Sequence, residues 1–414
     1  MEESSVALFH SAPARLKSND VFYPFRQDSD FFYLTGFQEE ECALILEKNR
    51  SVLFLRPNEP EMEIWNGRRL GIERAPAELG VDMAFDISRL NSSLIEYLKN
   101  KNTFYHAYGR NPERDSFVFS LCEKLLKRGR AFESGPRKIV HPSLLLHEMR
   151  MIKSDEEILI LHECAKISNE AHKSAISNSR PGMFEYELQA LLEFEFKKYG
   201  GTDAYPSIVA SGANACTLHY HENNRQFQDG ELIMIDAAAE KNYLNTDVSR
   251  TFPVGRKFTA EQKDLYEMVL AVQKKAVSET VEGNTLDSIH ENAVHGLTEG
   301  LIHFGILNGS PEENVEKGTY KKYYMHKTSH WLGMDVHDVG SYYDDKIPRK
   351  LKDGMVCTIE PGIYLPENDE SLKVYHRGIG IRIEDDILVK GRSPVNLTGM
   401  IPKEVADIES LKAK

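Results

Sequence analysis

The chain has 414 residues, 41% of them apolar, which is enough for two ordinary domains and a sizeable core. Its 64 acidic against 51 basic residues leave a formal net charge of -13, which argues against nucleic acid or an anionic membrane as the main partner. Five cysteines (Cys42, Cys122, Cys164, Cys216, Cys357) with no CxxC read as reduced thiols of a cytoplasmic protein, the start lacks the order of a signal peptide, and no run approaches the ~18 apolar residues of a membrane span.

In chain order, residues 21–37 (VFYPFRQDSDFFYLTGF) are aromatic-rich and read as irregular. CALILE and SVLFLR, separated by Lys48-Asn49-Arg50, read as a hairpin. Helices and strands then mix up to about Val140. The proline and charge cluster of HPSLLLHEMRMIKS marks a boundary, giving an amino-terminal domain over 1–146 and a second domain over 147–414. Ser154 and Glu157 form a capping-box pattern, and the helix they start puts Ile158, Leu161 and Ala165 on one face. A second helix is expected from about Met183 to Tyr199, after Arg180-Pro181-Gly182, and a strand pair follows over Leu232–Phe252. The order then repeats. Thr259 and Gln262 cap a helix to about Glu279, a further helix spans Leu286 to Phe304, and GMVCTIEPGIYL and GIGIRIEDDILV supply two more strands. Residues 305–325 and 340–352 read as polar loops.

Asp236 and Asp247 sit in apolar strands, which calls for a reason. A two-residue turn at Lys241-Asn242 pairs Glu240 with Tyr243, Ala238 with Asn245 and Asp236 with Asp247, on one side of the sheet with Cβ atoms ~5 Å apart. Like charges so opposed destabilise a hairpin unless a cation lies between them. An isolated pair of this kind is more often one aspartate facing solvent. The second strand pair changes the balance, because Glu360 ends one strand before Pro361-Gly362 and Glu384 lies two positions from Arg382, on its face. Folding the two halves together brings four carboxylates to one place.

HKTSHWLGMDVHD holds His326, His330 and His337, spaced four and seven apart. A helix would align them, although Gly333 argues against a continuous one, and the absence of HExxH argues against a zincin. Taken singly, each is more often a satisfied core histidine. His219 lies in a Gly/Asn-rich loop before the first strand pair, and His221 reads as a surface residue. Four carboxylates with one imidazole form an oxygen-rich set that suits Mn²⁺ or a similar ion. That much charge fits two divalent ions, bridged by carboxylates and a hydroxide, better than one.

Together the aspartate pair, SHWLGMDVHDVG, IEPGIYL and RGIGIRIEDD resemble, in order, the motifs of the aminopeptidase P family of pita-bread metallopeptidases. DVFYPFRQDSDFFYLTGF and IWNGRRLG are similar to the amino-terminal domain of its bacterial members. The resemblance implies an α+β fold, with a smaller mixed α/β amino-terminal domain before a pseudo-twofold, curved antiparallel sheet with helices. It implies Asp236, Asp247, His330, Glu360 and Glu384 as ligands of two metal ions. Glu360 would also orient or deprotonate water, and His219 and His337 would stabilise the tetrahedral oxyanion. His326, Tyr364 and Arg382 would shape the site for proline. The implied activity is cleavage between an amino-terminal residue and a following proline by a hydroxide held between the metals, with Asp236 holding the substrate amine. Its partners would be peptides with proline second, with no nucleic acid and no membrane, and the chain would form a homo-oligomer, dimer or tetramer. The alternatives are an Xaa-Pro dipeptidase and a non-catalytic peptide- or protein-binding relative. The latter is disfavoured because all five ligands are present. Methionine aminopeptidase does not need the long first domain, and creatinase-type chemistry would leave the ligand set unexplained. The chain departs from the family pattern at Ala238, at Asn242 and at Lys327, the last two where glycine is usual and the first where Asp-Ala-Gly is usual.

Overall fold

Residues 1–127 and 134–413 are described by a computed structural model, and they divide into two compact units, Met1–Glu148 and Met149–Lys414. In the first unit, alternation along Ser5–His10 sends Val6 and Leu8 to one face and Ala7 and Phe9 to the other, so both faces of its sheet are covered. Six strands lie in the order Met83–Asp86, Arg50–Leu55, Ala43–Glu47, Ser5–His10, Thr103–His106, Lys138–Val140. The central pairs are antiparallel and the outer ones parallel. The expected hairpin is present, closed at the Glu47–Arg50 pair.

Residues 21–37 are not irregular throughout. Val21–Phe22 pairs with Leu16–Ser18, and Ser29–Thr35 is helical. The Asp28 carboxylate accepts the Phe31 N–H at its start, and Gly36, at φ 63°, ends it. The aromatic run hid a helix whose caps were readable.

In the second unit both capping boxes form. Ser154 and Glu157 open the helix Asp155–Asn178, which buries Leu161 and Ala165, and Thr259 and Gln262 open Ala260–Glu279. Their partners are Glu185–Lys198 and Leu286–His303. The first of these begins two residues later than the sequence suggested, because Phe184 is its N-cap and donates its N–H to Glu187 Oε2 at 2.7 Å. The helices pack against two hairpins, burying Leu188, Leu192, Val269 and Leu297 with Ile233, Ile235, Ile363 and Ile381.

Each hairpin is broken in the middle. The first comprises Leu232–Asp236 with Ser249–Pro253, then Ala239–Lys241 with Leu244–Asn245. The second comprises Val356–Ile359 with Asp385–Leu388, then Gly362–Leu365 with Ile379–Arg382. The hairpins join where Glu384 donates its N–H to Ser249 O at 3.1 Å and Arg382 N to Thr251 Oγ1 at 3.2 Å.

The register of the first hairpin differs from expectation. The turn is Asn242-Tyr243, with φ 50° and 66°, and Glu240 pairs with Asn245 and Asp236 with Ser249. Positive φ at both central residues is the type I′ geometry that matches strand twist. The shift is two residues, so Asp236 and Asp247 remain on one face, as diagonal neighbours rather than an opposed pair. The polar stretches also contain structure: a helix Pro311–Lys317, opened by Ser310 and stopped by Gly318, and a ribbon of Tyr343–Asp344 with Ile347–Pro348. Such short charged elements carry no apolar periodicity to read.

Candidate metal centre and active site

The four carboxylates lie at the breaks in the hairpins, not inside the strands. Asp236 ends its strand, Asp247 lies between Leu244–Asn245 and Ser249–Pro253, Glu360 between Val356–Ile359 and Gly362–Leu365, and Glu384 between Ile379–Arg382 and Asp385–Leu388. A break frees the local backbone from the ladder and lets both strands of a hairpin turn their acids to one side.

His330 reaches the same place from an extended segment, not a helix. Its carbonyl accepts the Thr358 N–H at 3.0 Å, and Glu360 N donates to Thr328 O at 2.8 Å. Residues four apart on an extended chain face the same way, so the spacing of His326 and His330 serves here as well. The chain then turns at Gly333, where any side chain would run into the Asp338 carboxylate and Lys153. That turn brings the His337 ring edge-on to His330, with centroids 4.4 Å apart.

All five expected ligands, together with His219, His326, His337 and Arg382, line one cavity of about 390 Å³. Tyr364 is fully buried behind it. Its hydroxyl sits 2.8 Å from His326 Nε2 and accepts Arg382 Nη1–H at 3.0 Å. His326 Nδ1 faces Lys327 O at 2.7 Å, which leaves Nε2 as the acceptor of the tyrosine proton. Burial, followed by the Arg382 charge, lowers the His326 pKa to about 3, so this ring is neutral. Burial and then His330 lower that of His337 as well.

Arg382 organises the floor. Nη2 donates to Asp236 Oδ2 at 2.5 Å, and Nε donates to Ser249 Oγ at 2.7 Å, which in turn donates to Glu384 Oε2 at 2.8 Å. The Tyr205 hydroxyl lies 2.6 Å from Oδ1 of both Asp236 and Asp247. One hydroxyl proton cannot serve two carboxylates fully, so the arrangement favours a further proton in the metal-free cluster. Tyr205 and Ser249 escaped the sequence reading. Neither belongs to a spacing pattern, and both arrive by tertiary approach.

The electrostatics suit a cation. Asp247, His330 and Glu384 each offer a ligand atom within 4.8 Å of the others. Burial, then the neighbouring carboxylates, raises Glu384 well above the carboxylate range. Glu360 is pushed up to about 7 by burial, against His330 and Arg382 and with Asp247 and Asp236. Asp236 is raised by burial although Arg382 opposes it. His330 Nδ1 faces Trp331 O at 3.0 Å, which points Nε2 into the cluster, 3.3 Å from Asp247 Oδ2. Burial opposes its charge, but the bond to Asp247 prevails and raises its pKa to about 9. In the metal-free site a proton on Nε2 thus stands where a cation would bind. An oxygen-rich donor set with excess negative charge and an oriented imidazole fits divalent metal.

Comparison with known proteins agrees with this chemistry. Residues 160–391 match the family model for metallopeptidase family M24, and residues 1–105 match that for the aminopeptidase P N-terminal domain. The chain is 42% identical to an Xaa-Pro aminopeptidase of Haemophilus influenzae, over 99% of this chain and 94% of that protein. It is 34% identical to human Xaa-Pro aminopeptidase 3, over 97% and 79%. Among solved structures it is similar to Pseudomonas aeruginosa aminopeptidase PepP (TM-score 0.97, 41% identity, 100% of this chain and 95% of that one). It is also similar to a zinc-substituted Escherichia coli aminopeptidase P in complex with product (TM-score 0.96, 41% identity, with the same coverage).

Proposed function

Because the chain belongs to metallopeptidase family M24, with an aminopeptidase P amino-terminal domain before it, we infer that it is a metal-dependent exopeptidase that releases an amino-terminal residue from a following proline. The observation that carries this reading is the convergence of four carboxylates and His330 on a cavity backed by the His326–Tyr364–Arg382 hydrogen bonds.

Asp236, Asp247, His330, Glu360 and Glu384 would hold two divalent ions. When bound, such ions lower the pKa of water and polarise a carbonyl. The residues supply the rest. Glu360 takes the proton of the attacking water and returns it to the departing proline nitrogen. His219 and His337 border the cavity and donate N–H to the oxygen that gains charge. Asp236 attracts the free amino terminus. Proline has no N–H and a fixed φ, so its recognition rests on shape; His326 and Arg382 form the wall that receives the ring, and Tyr364 holds both from behind.

The oxygen-rich donors favour Mn²⁺ as the metal. Five free cysteines suit a cytoplasmic setting, and among the described residues no helix is long and apolar enough to cross a membrane. A homo-oligomer is proposed as the assembly. The deciding experiment compares Ala-Pro with Arg-Pro-Pro on Mn²⁺-loaded protein. Faster release from the tripeptide is the expected result, and cleavage of the dipeptide alone would make the protein an Xaa-Pro dipeptidase.

A further inference from the structure

His219 belongs to no strand or helix, yet it must hold a defined place on the cavity wall if it is to meet a substrate oxygen. It sits in the loop between Ile208–Ser211 and Leu232–Asp236, and the loop is closed on one buried carboxylate. Glu185, with no exposed surface, is the first residue of the helix Glu185–Lys198. Its Oε1 accepts Ser211 N–H at 2.8 Å, Ser211 Oγ at 2.7 Å and Asn214 Nδ2 at 3.2 Å. Its Oε2 accepts Tyr220 OH and Arg225 N–H, both at 2.8 Å. The Glu185 N–H donates back to Arg225 O at 2.9 Å. One side chain thus fastens the start of the loop, its later part at Arg225 and the neighbour of His219. On its other side the loop packs closely on Gly380, where any side chain would run into Ala215.

We propose that Glu185 is a positioning residue for His219, acting through Tyr220 and the closed loop and never touching substrate. Both oxygens meet donors only, so a carboxylate fits and an amide does not: the NH₂ of glutamine would face N–H groups that cannot turn away. The helix N-terminus favours the same negative charge. The idea rests on the peptidase reading for its kinetic test, but not for its spectroscopic one.

The isosteric Glu185→Gln is the main probe, and Tyr220→Phe is a milder one that decides the matter if the first does not fold. Kinetics use the Mn²⁺-loaded enzyme and Arg-Pro-Pro. We expect kcat/KM to fall by about 10-fold in Glu185→Gln and about 3-fold in Tyr220→Phe, with metal stoichiometry unchanged and less than ~2-fold further loss when either is added to His219→Ala. Losses that multiply with that of His219→Ala, or wild-type rates in the single variants, overturn the proposal. The His219 imidazole resonance, identified by its loss in His219→Ala, should shift in both variants. An unmoved resonance overturns the proposal whether or not the protein cleaves Xaa-Pro peptides. Absence of Xaa-Pro cleavage in the wild type would count against the peptidase reading alone.

Discussion

Glu360 stands directly opposite Glu384 across the second hairpin. The Ile359–Asp385 pair before the break and the Gly362–Arg382 pair after it share one register, and the two glutamates fall between them. This is the opposed pair of like charges that the sequence suggested for Asp236 and Asp247. Burial raises both carboxyls in the metal-free protein, although the Arg382 charge opposes it, and each prediction about metal and pH begins there.

Chelation should destabilise the protein more at pH 8 than at pH 5. A carboxyl whose folded pKa is raised costs stability as pH climbs from its unfolded value to its folded one, for Glu360 from 4.5 to about 7. His330, raised from 6.5 to about 9, contributes stability that is complete below 6.5 and lost as pH rises through 9. Both effects weaken the metal-free fold as pH rises, whereas a bound cation offsets the carboxylate repulsion and competes with protons for the same atoms. Thermal unfolding of chelated and Mn²⁺-loaded protein checks this. The gap in Tm should be on the order of 5 °C or more at pH 8 and smaller at pH 5. A gap that grows in acid would show that the four acids do not share a cation.

Glu360→Ala should lower turnover by at least about 10²-fold, because it would remove a proposed ligand and the proposed proton acceptor together. Circular dichroism should remain that of the wild type, since Glu360 lies at a strand break and not in the core. Near-normal kcat on Arg-Pro-Pro would remove Glu360 from the mechanism.

Replacing the second residue of the peptide from proline to alanine should lower kcat/KM by at least about 10-fold, the scale on which a shaped pocket separates side chains. Parallel assays of Arg-Pro-Pro and Arg-Ala-Pro measure it. Equal rates would mean that the wall of His326 and Arg382, backed by Tyr364, does not read the ring.

Asp338→Ala should cost about 3 kcal/mol of stability, because it leaves the buried Lys153 without its carboxylate and Arg150 with Asp335 alone. Asp338 accepts Arg150 Nη2 at 2.6 Å and Lys153 Nζ at 2.9 Å, and all three side chains are buried. The same ion pairs pin the turn between His330 and His337, so activity should fall with stability. The denaturant midpoint measures the first effect. An unchanged midpoint would show that the pairs contribute nothing net.

The sequence by itself determined what depends on near neighbours along the chain. The capping boxes at Ser154 and Thr259 form because their partners lie three residues away. The shared face of Asp236 and Asp247 survives a shift of two residues because strand parity has period two. Asp236, Asp247, Glu360 and Glu384 were legible because carboxylates stand out against apolar strands, His330 was singled out among the histidines only by the family resemblance, and the tertiary structure brings all five to one cavity. That structure alone decided the register, because the turn moved to the two residues, Asn242 and Tyr243, that accept positive φ in their surroundings. It also decided that the hairpins break at the acids, that Tyr205 and Ser249 join them, and that Glu185 closes the loop of His219. These last contacts link residues up to 135 positions apart, as Ser249 and Glu384 are. A hydrogen bond over such a separation leaves no period in the sequence, because its geometry is set by how helices and hairpins pack and not by the chain between its partners.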